Sequence, residues 1–142
     1  MIDISSHSID FSTNGNTHII DITKKVQEAI KESGIKEGNV TLFAIGSTTG
    51  LSTVEFEPGL VETDVAAMYQ KIAPYGVPYQ HNKTWGDDNG AAHLRSTLTG
   101  SSLVIPVIGH MLTLGTWQQI IFIDFDTRPR SRKVIAQVIG KK

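Results

Sequence analysis

The stretch that decides the fold is Leu103-Val104-Ile105-Pro106-Val107-Ile108-Gly109-His110-Met111-Leu112-Thr113-Leu114. Leu103 to Ile108 is a run of β-branched and apolar residues too short for a helix, and Met111 to Leu114 resumes it after two residues. Gly109-His110 between them predicts a tight hairpin turn of the type with glycine first. Downstream, Trp117 to Asp126 and Lys133 to Ile139 carry further long apolar stretches and predict two more strands. The C-terminal half is therefore expected to be antiparallel β-sheet.

The N-terminal half adds strands and two helices. Ile2, Ile4, Ile9 and Phe11 predict an opening strand, Asn14-Gly15 a hairpin turn, and Thr17 to Ile22 its return strand. Thr23 reads as an N-cap for an amphipathic helix over 24–33, with Val26, Ala29 and Ile30 on one face and Gly34 at the left-handed C-terminal position. Val40 to Ile45 predicts a strand buried on both faces. It stops at Gly46-Ser47-Thr48-Thr49-Gly50, and Leu51 to Phe56 resumes as a strand. Leu60, Asp64, Val65, Met68, Tyr69 and Ile72 predict a second helix, closing near the Pro74 to Pro78 loop. The expected fold is a β-rich α+β domain, a single-domain antiparallel β-sandwich over residues 1–142 with two or three helices.

Composition narrows the chemistry. The chain has 142 residues and no cysteine, which excludes disulfides, thiolate metal sites and cysteine nucleophiles. A chain this long buries about 68% of its unfolded surface and needs no covalent staple. The start lacks the basic and apolar segments of a signal peptide, and no apolar run approaches the ~20 residues that span a bilayer. A cytoplasmic location and no membrane partner are expected. The net charge of -1 hides a split: residues 128–142 hold six basic and no acidic side chains, and the rest hold seven basic against 14 acidic. The acidic body and an aromatic content of 7% argue against nucleic acid as a partner.

The polar stretch His81 to His93 is the richest in chemistry. Two imidazoles flanking carboxylates supply metal ligands or acid/base groups, with Asp88 as third ligand or orienter. Alternatively Asp87 and Asp88 form a turn capping a helix from near Gly90, with His81 merely exposed; spacing does not choose. His7, His18 and His110 read as surface residues. Gly46 to Gly50, with Ser47 and Thr48, is either a backbone nest for an anion or a tight strand connection. Glu55 and Glu57 would share one strand face, suited to acid/base work or to plain solvation. Arg128, Arg130 and Arg132 around Pro129 offer a phosphate-binding rim. A helical segment from His93 is expected to anchor to the core through Leu94 and Leu98, one turn apart.

Together, Glu57-Pro58-Gly59-Leu60, His81-Asn82, Asp88-Asn89, Ala92-His93-Leu94, Leu114 to Gln119 and Asp124-Phe125-Asp126 to Arg132 resemble the YjbQ-like family, across nearly the whole chain. That family is named for a secondary thiamine-phosphate synthase activity, which joins a pyrimidine diphosphate to a thiazole phosphate with loss of pyrophosphate. The resemblance implies a compact β-sandwich, a homotrimer, a polar pocket on the histidine loop and a phosphorylated small-molecule substrate. It implies a transferase with His81, His93 and Glu55 as catalytic groups. Ser47, Thr48, Trp117, Gln118, Arg130 and Arg132 would hold the substrate's anion. A divalent metal, zinc or magnesium, would be held by His81, His93 and Asp88, with no organic cofactor. The alternative is a non-catalytic trimeric anion- or metal-binding protein. One departure stands out: Gly46 occupies the place of a family histidine, and Val54 that of an asparagine before Glu55.

Overall fold

A computed structural model describes residues 1–142. In chain order the elements are β1 (Asp3–Thr13), β2 (His18–Asp21), α1 (Thr23–Ser33), β3 (Glu37–Ile45), β4 (Thr49–Val54), a π-type turn (Gly59–Asp64) running into α2 (Val65–Ile72), α3 (Gln80–Trp85), α4 (Gly90–Thr99), β5 (Ser102–Ile108), β6 (Met111–Leu112), β7 (Gln119–Asp124) and β8 (Arg130–Lys141). All strand pairs are antiparallel, in a five-stranded sheet β1-β8-β3-β5-β6 and a three-stranded sheet β2-β7-β4. The expected β-rich α+β class is the observed one, with four helices in place of two or three. No helix is long and apolar enough to cross a membrane.

The central strand is β7. Its Ile120 and Phe122 face a core shared with α1 and the inner face of the five-stranded sheet, where Val26, Ile30, Val40, Leu42, Val134 and Ala136 pack. Ile121 and Ile123 point the other way, into a second core with Tyr69 of α2 and Ala92 of α4. This explains the continuous apolar run Ile120 to Ile123, because a strand buried on both faces has no polar side. Fully burying each such side chain contributes about 1.5–3 kcal/mol. Val40 to Ile45 does not behave that way: Val40, Leu42 and Ala44 are buried while Phe43 and Ile45 are exposed on the outer face of the sheet.

The expected Asn14-Gly15 hairpin is also corrected. β1 pairs with β8 along its whole length, and β2 pairs with β7, so the turn carries the chain from one sheet to the other. Gly15 is required there: it has φ +73°, and a Cβ would lie 2.5 Å from the Asp126 carbonyl oxygen. Asn16 and Thr17 continue with positive φ, and their N–H groups donate to the carbonyls of Asp126 and Asp124 at 2.6 and 2.8 Å. This corner therefore seats directly on the end of β7.

Helix α1 matches its expected span within a residue and ends at Gly34, which has φ +69°. Its N-terminal cap differs. The Asp21 carboxylate accepts the Thr23 N–H and O–H at 2.9 and 2.6 Å, while Thr23 Oγ1 accepts the Ile120 N–H at 2.8 Å. The β5–β6 turn forms as a hairpin, but Gly109 and His110 both have positive φ, the mirror-image type I turn.

Candidate functional site

The stretch read as a polar loop from His81 to His93 is two short helices. α3 ends at Gly86, and α4 begins after Asn89. The helices cross closely at Gly90, where a Cβ would lie 2.6 Å from Tyr79 Cβ and 2.8 Å from Asn82 Oδ1. The Gly90 N–H donates to that Asn82 oxygen at 2.9 Å. Such a close approach brings His81 of α3 beside His93 of α4, with ring centres 4.3 Å apart and planes inclined by 59°. Both histidines are half-buried, and the His93 ring makes no hydrogen bond within the chain.

Helix α4 is oriented by its small residues. Ala91, Ala92, Arg95 and Ser96 are buried, and the Ser96 hydroxyl donates to the Thr49 carbonyl at 2.6 Å. Leu94 and Leu98, expected to anchor the helix, are 50% and 60% exposed, so they face solvent instead. Alanine and serine let the helix lie close on β4 where leucine would hold it off.

Asn89 joins the histidines to a second cluster. Its Nδ2 donates to Asp126 Oδ1 at 3.3 Å, and its Oδ1 stands 3.0 Å from His81 Nε2. The opposite amide orientation would donate to His81 Nε2 at 3.0 Å and to Asp87 at 3.3 Å. We assign the N–H to Asp126 because that carboxylate is buried, whereas Asp87 has access to water. His81 then carries its proton on Nε2, facing Asn89 and, at 3.4 Å, Asp87 Oδ2. Asp88 turns away from the histidines and accepts the Thr127 hydroxyl at 2.7 Å. The carboxylate beside His81 is thus Asp87, where the sequence reading put Asp88.

The second cluster is a buried carboxylate pair held by two arginines. Arg132 donates from Nε and Nη2 to the two oxygens of Asp124 at 2.6 and 3.0 Å, and from Nη2 to Thr48 Oγ1 at 2.9 Å. Arg130 Nε donates to Asp126 Oδ2 at 2.9 Å. Asp124 also accepts the Thr13 hydroxyl at 2.5 Å and the Asp126 N–H at 3.0 Å. Burial pushes the Asp126 carboxyl up, but hydrogen bonds from Thr127, Asn89 and Arg130, with the Arg130 charge, outweigh it and hold the group below the usual range. Arg130 and Arg132 sit at alternate positions of β8, on one side of the strand, which begins three residues before the expected start at Lys133.

Thr48, Arg130, Arg132, His81 and His93 are therefore brought into one region. Ser47 is exposed at its rim. Glu55 lies in the exposed turn beyond β4, and Glu57 no longer shares a strand face with it: its carboxylate accepts the Gly59 and Leu60 N–H groups at 2.9 and 2.5 Å. Gln118, bonded to Thr53 at 3.1 Å, and the exposed Trp117 precede Gln119 at the start of β7. Asp124 is at its other end, five residues or about 17 Å along the strand, so neither residue joins the histidine–arginine region within one chain. Sequence reasoning missed Asn89, Asp124 and Asp126 as organising groups. Their signal was a pair of carboxylates two residues apart closing a wholly apolar strand, with no solvent-facing alternation to explain them.

The comparisons with known proteins agree on one family. A family model described as UPF0047 protein YjbQ-like matches residues 7–141. A UPF0047 protein of Archaeoglobus fulgidus is 39% identical over 131 residues, covering 92% of this chain and 98% of its own. The crystal structure of a YbjQ-like protein of unknown function from Sulfolobus solfataricus superposes with a TM-score of 0.93 at 30% identity, covering 99% of this chain and 100% of that one. A hypothetical protein from Aeropyrum pernix gives 0.84 at 33% identity, over 95% and 99% of the two chains. The chain belongs to the UPF0047 YjbQ-like family.

Proposed function

We propose that this protein is an enzyme of phosphorylated small molecules, with a transferase activity resembling secondary thiamine-phosphate synthase. The observation that carries the reading is the placement of the His81–His93 pair against Asn89, which also holds Asp126 of the carboxylate–arginine cluster. An acid/base pair then stands beside guanidiniums that match phosphate. In the family reaction a C–N bond forms as the C–O bond to a diphosphate breaks. His93, with no partner in the chain, is the group free to donate a proton to the departing pyrophosphate.

A divalent metal fits the same place only in part. His81, His93 and Asp87 are the donors on that side, and no three His, Asp or Glu side chains converge as a formed ligand set. A metal held there would polarise a phosphoryl oxygen. A homotrimer is the assembly we propose, supported by exposed Ile4, Phe43, Ile45, Val104 and Ile108 on the outer sheet face and by Leu94 and Leu98 on α4. Two distinct apolar surfaces suit head-to-tail contacts that close a ring.

One feature favours the non-catalytic reading. Asp124 and Asp126 are fully engaged by Arg132, Arg130, Thr13 and Thr127, so neither is a free base. The test is pyrophosphate release from the pyrimidine diphosphate and thiazole phosphate, with zinc or magnesium added. Release that falls about 100-fold or more in His93→Ala supports an enzyme with His93 as acid. Binding without turnover supports the binding protein.

A further inference from the structure

The phosphate reading leaves open which atoms meet the anion, because Arg132, the more buried of the β8 arginines, has part of its guanidinium committed within the chain. Arg132 spends Nε and Nη2 on Asp124 and Thr48, but its Nη1 has no hydrogen bond within the chain. Nη1 faces Gly46. A Cβ on that glycine would lie 3.2 Å from Nη1 and 3.4 Å from Thr49 Oγ1, the next nearest atom.

Thr49 is the second and independent observation. It is wholly buried, and its hydroxyl is the one buried side-chain polar atom in the chain with no partner. Native structures leave few such groups unpaired, and an orphan of this kind calls for a water, an ion or a ligand. Gly46 and Ser47 above it are exposed, while Thr48 and Thr49 beneath them are buried.

We propose that the bare face of Gly46 is an oxygen seat for a phosphoryl group, with Arg132 Nη1 and the Thr49 hydroxyl as its donors. This rests on the phosphorylated-substrate reading and deepens it. Glycine is what makes the seat, since any side chain at 46 would fill the space between the two donors. The Asp124 carboxylate fixes the guanidinium so that Nη1 is presented without further ordering, which is how a preorganised site gains affinity. A terminal phosphoryl oxygen, with several lone pairs, can accept from both donors at once.

The experiment is Thr49→Val, which keeps the shape and removes the hydroxyl. Thermal melts and calorimetric titration with inorganic phosphate are compared with wild type. The expected result is an unchanged or higher melting point without phosphate, because no hydrogen bond is lost, together with phosphate binding weakened about tenfold. Gly46→Ala should weaken phosphate binding as well, its methyl lying against Nη1. A melting point several degrees lower without phosphate would show that the hydroxyl has a structural partner and overturn the seat. Wild-type phosphate affinity in Thr49→Val would overturn it too, leaving a water-filled notch while the wider phosphate reading stands. If wild type binds neither phosphate nor a phosphorylated substrate, that wider reading falls and the seat with it.

Discussion

The Arg95 guanidinium lies over the Tyr75 ring, 3.8 Å from its centre, and it is buried with no carboxylate beside it. Its three nitrogens donate to the Ala73 carbonyl, Thr17 Oγ1 and Gln70 Oε1 at 2.8, 2.9 and 3.0 Å. Burial lowers its pKa, with the neighbouring tyrosines opposing that shift. Tyr75 in turn donates to the Phe125 carbonyl at 2.5 Å, so the pair ties α4 to the end of β7. Desolvated cation–π contacts reach about 2 kcal/mol, and unpairing the buried acceptors adds to the loss.

Arg95→Met should therefore destabilise the protein by roughly 3 kcal/mol, at the large end of single substitutions. Arg95→Lys should recover little, because an ammonium cannot reproduce the flat three-way fork. Urea unfolding of both variants checks this. A loss below about 1 kcal/mol in Arg95→Met would show that packing alone holds α4.

Acid should dissolve the carboxylate–arginine cluster in a defined direction. The Asp126 carboxyl sits below its unfolded value of about 3.9. The folded state therefore binds fewer protons, and the stabilisation is complete above pH ~4 and lost as the pH falls through the folded value. Asp126→Asn should be less stable at neutral pH and should show a shallower loss toward pH 3. Urea midpoints at a series of pH values measure it, and parallel curves for the two proteins would contradict the assignment.

What could be read in advance was what is local. Val26, Ala29, Ile30 and Gly34 specify α1 within eleven residues, and the Gly109-His110 hairpin joins adjacent strands. The Asn14-Gly15 turn was legible as a turn, but its strands pair with partners a hundred or more residues away, which no local pattern encodes. Leu94 and Leu98 misled because hydrophobic size was read as burial, while close packing on β4 selected Ala91, Ala92 and Ser96. The histidine pair was visible as a composition, and its geometry came from the Gly90 crossing. Asp124 acquires its role only when β7 and β8 bring it against Arg132.

The outer sheet face gives a prediction about assembly. Val104 is 62% exposed on the outer face, four positions along β5 from the exposed Ile108, with Thr41 opposite it on β3 and Gln137 beyond on β8. Exposed apolar patches of this kind mark interaction surfaces. Wild-type protein should run as a trimer in light scattering at micromolar concentration, and Val104→Lys should shift it toward monomer without loss of secondary structure. A monomeric wild type would end the proposal.

His93 gives the sharpest test of the site. Its ring is half-buried, makes no hydrogen bond within the chain, and stands on a helix whose core contacts come from Ala91, Ala92, Arg95 and Ser96. His93→Ala should then cost less than about 1 kcal/mol, as for other substitutions away from packed or bonded groups. It should nevertheless remove most of the zinc response. A ligand at 100 times its Kd stabilises the native state by about 2.7 kcal/mol, which for a domain of this size raises Tm by roughly 5–10 °C. Melts with added zinc would show that rise in wild type and less than a third of it in His93→Ala, whereas the separate response to phosphate should be retained. Because Arg132 and Thr49 lie outside the histidine pair, loss of the zinc response with retention of the phosphate response would place the metal on the imidazoles and the anion at Gly46. An intact response to both would remove His93 from the site. A large loss of stability without ligand would mean instead that the imidazole is part of the packing between α3 and α4.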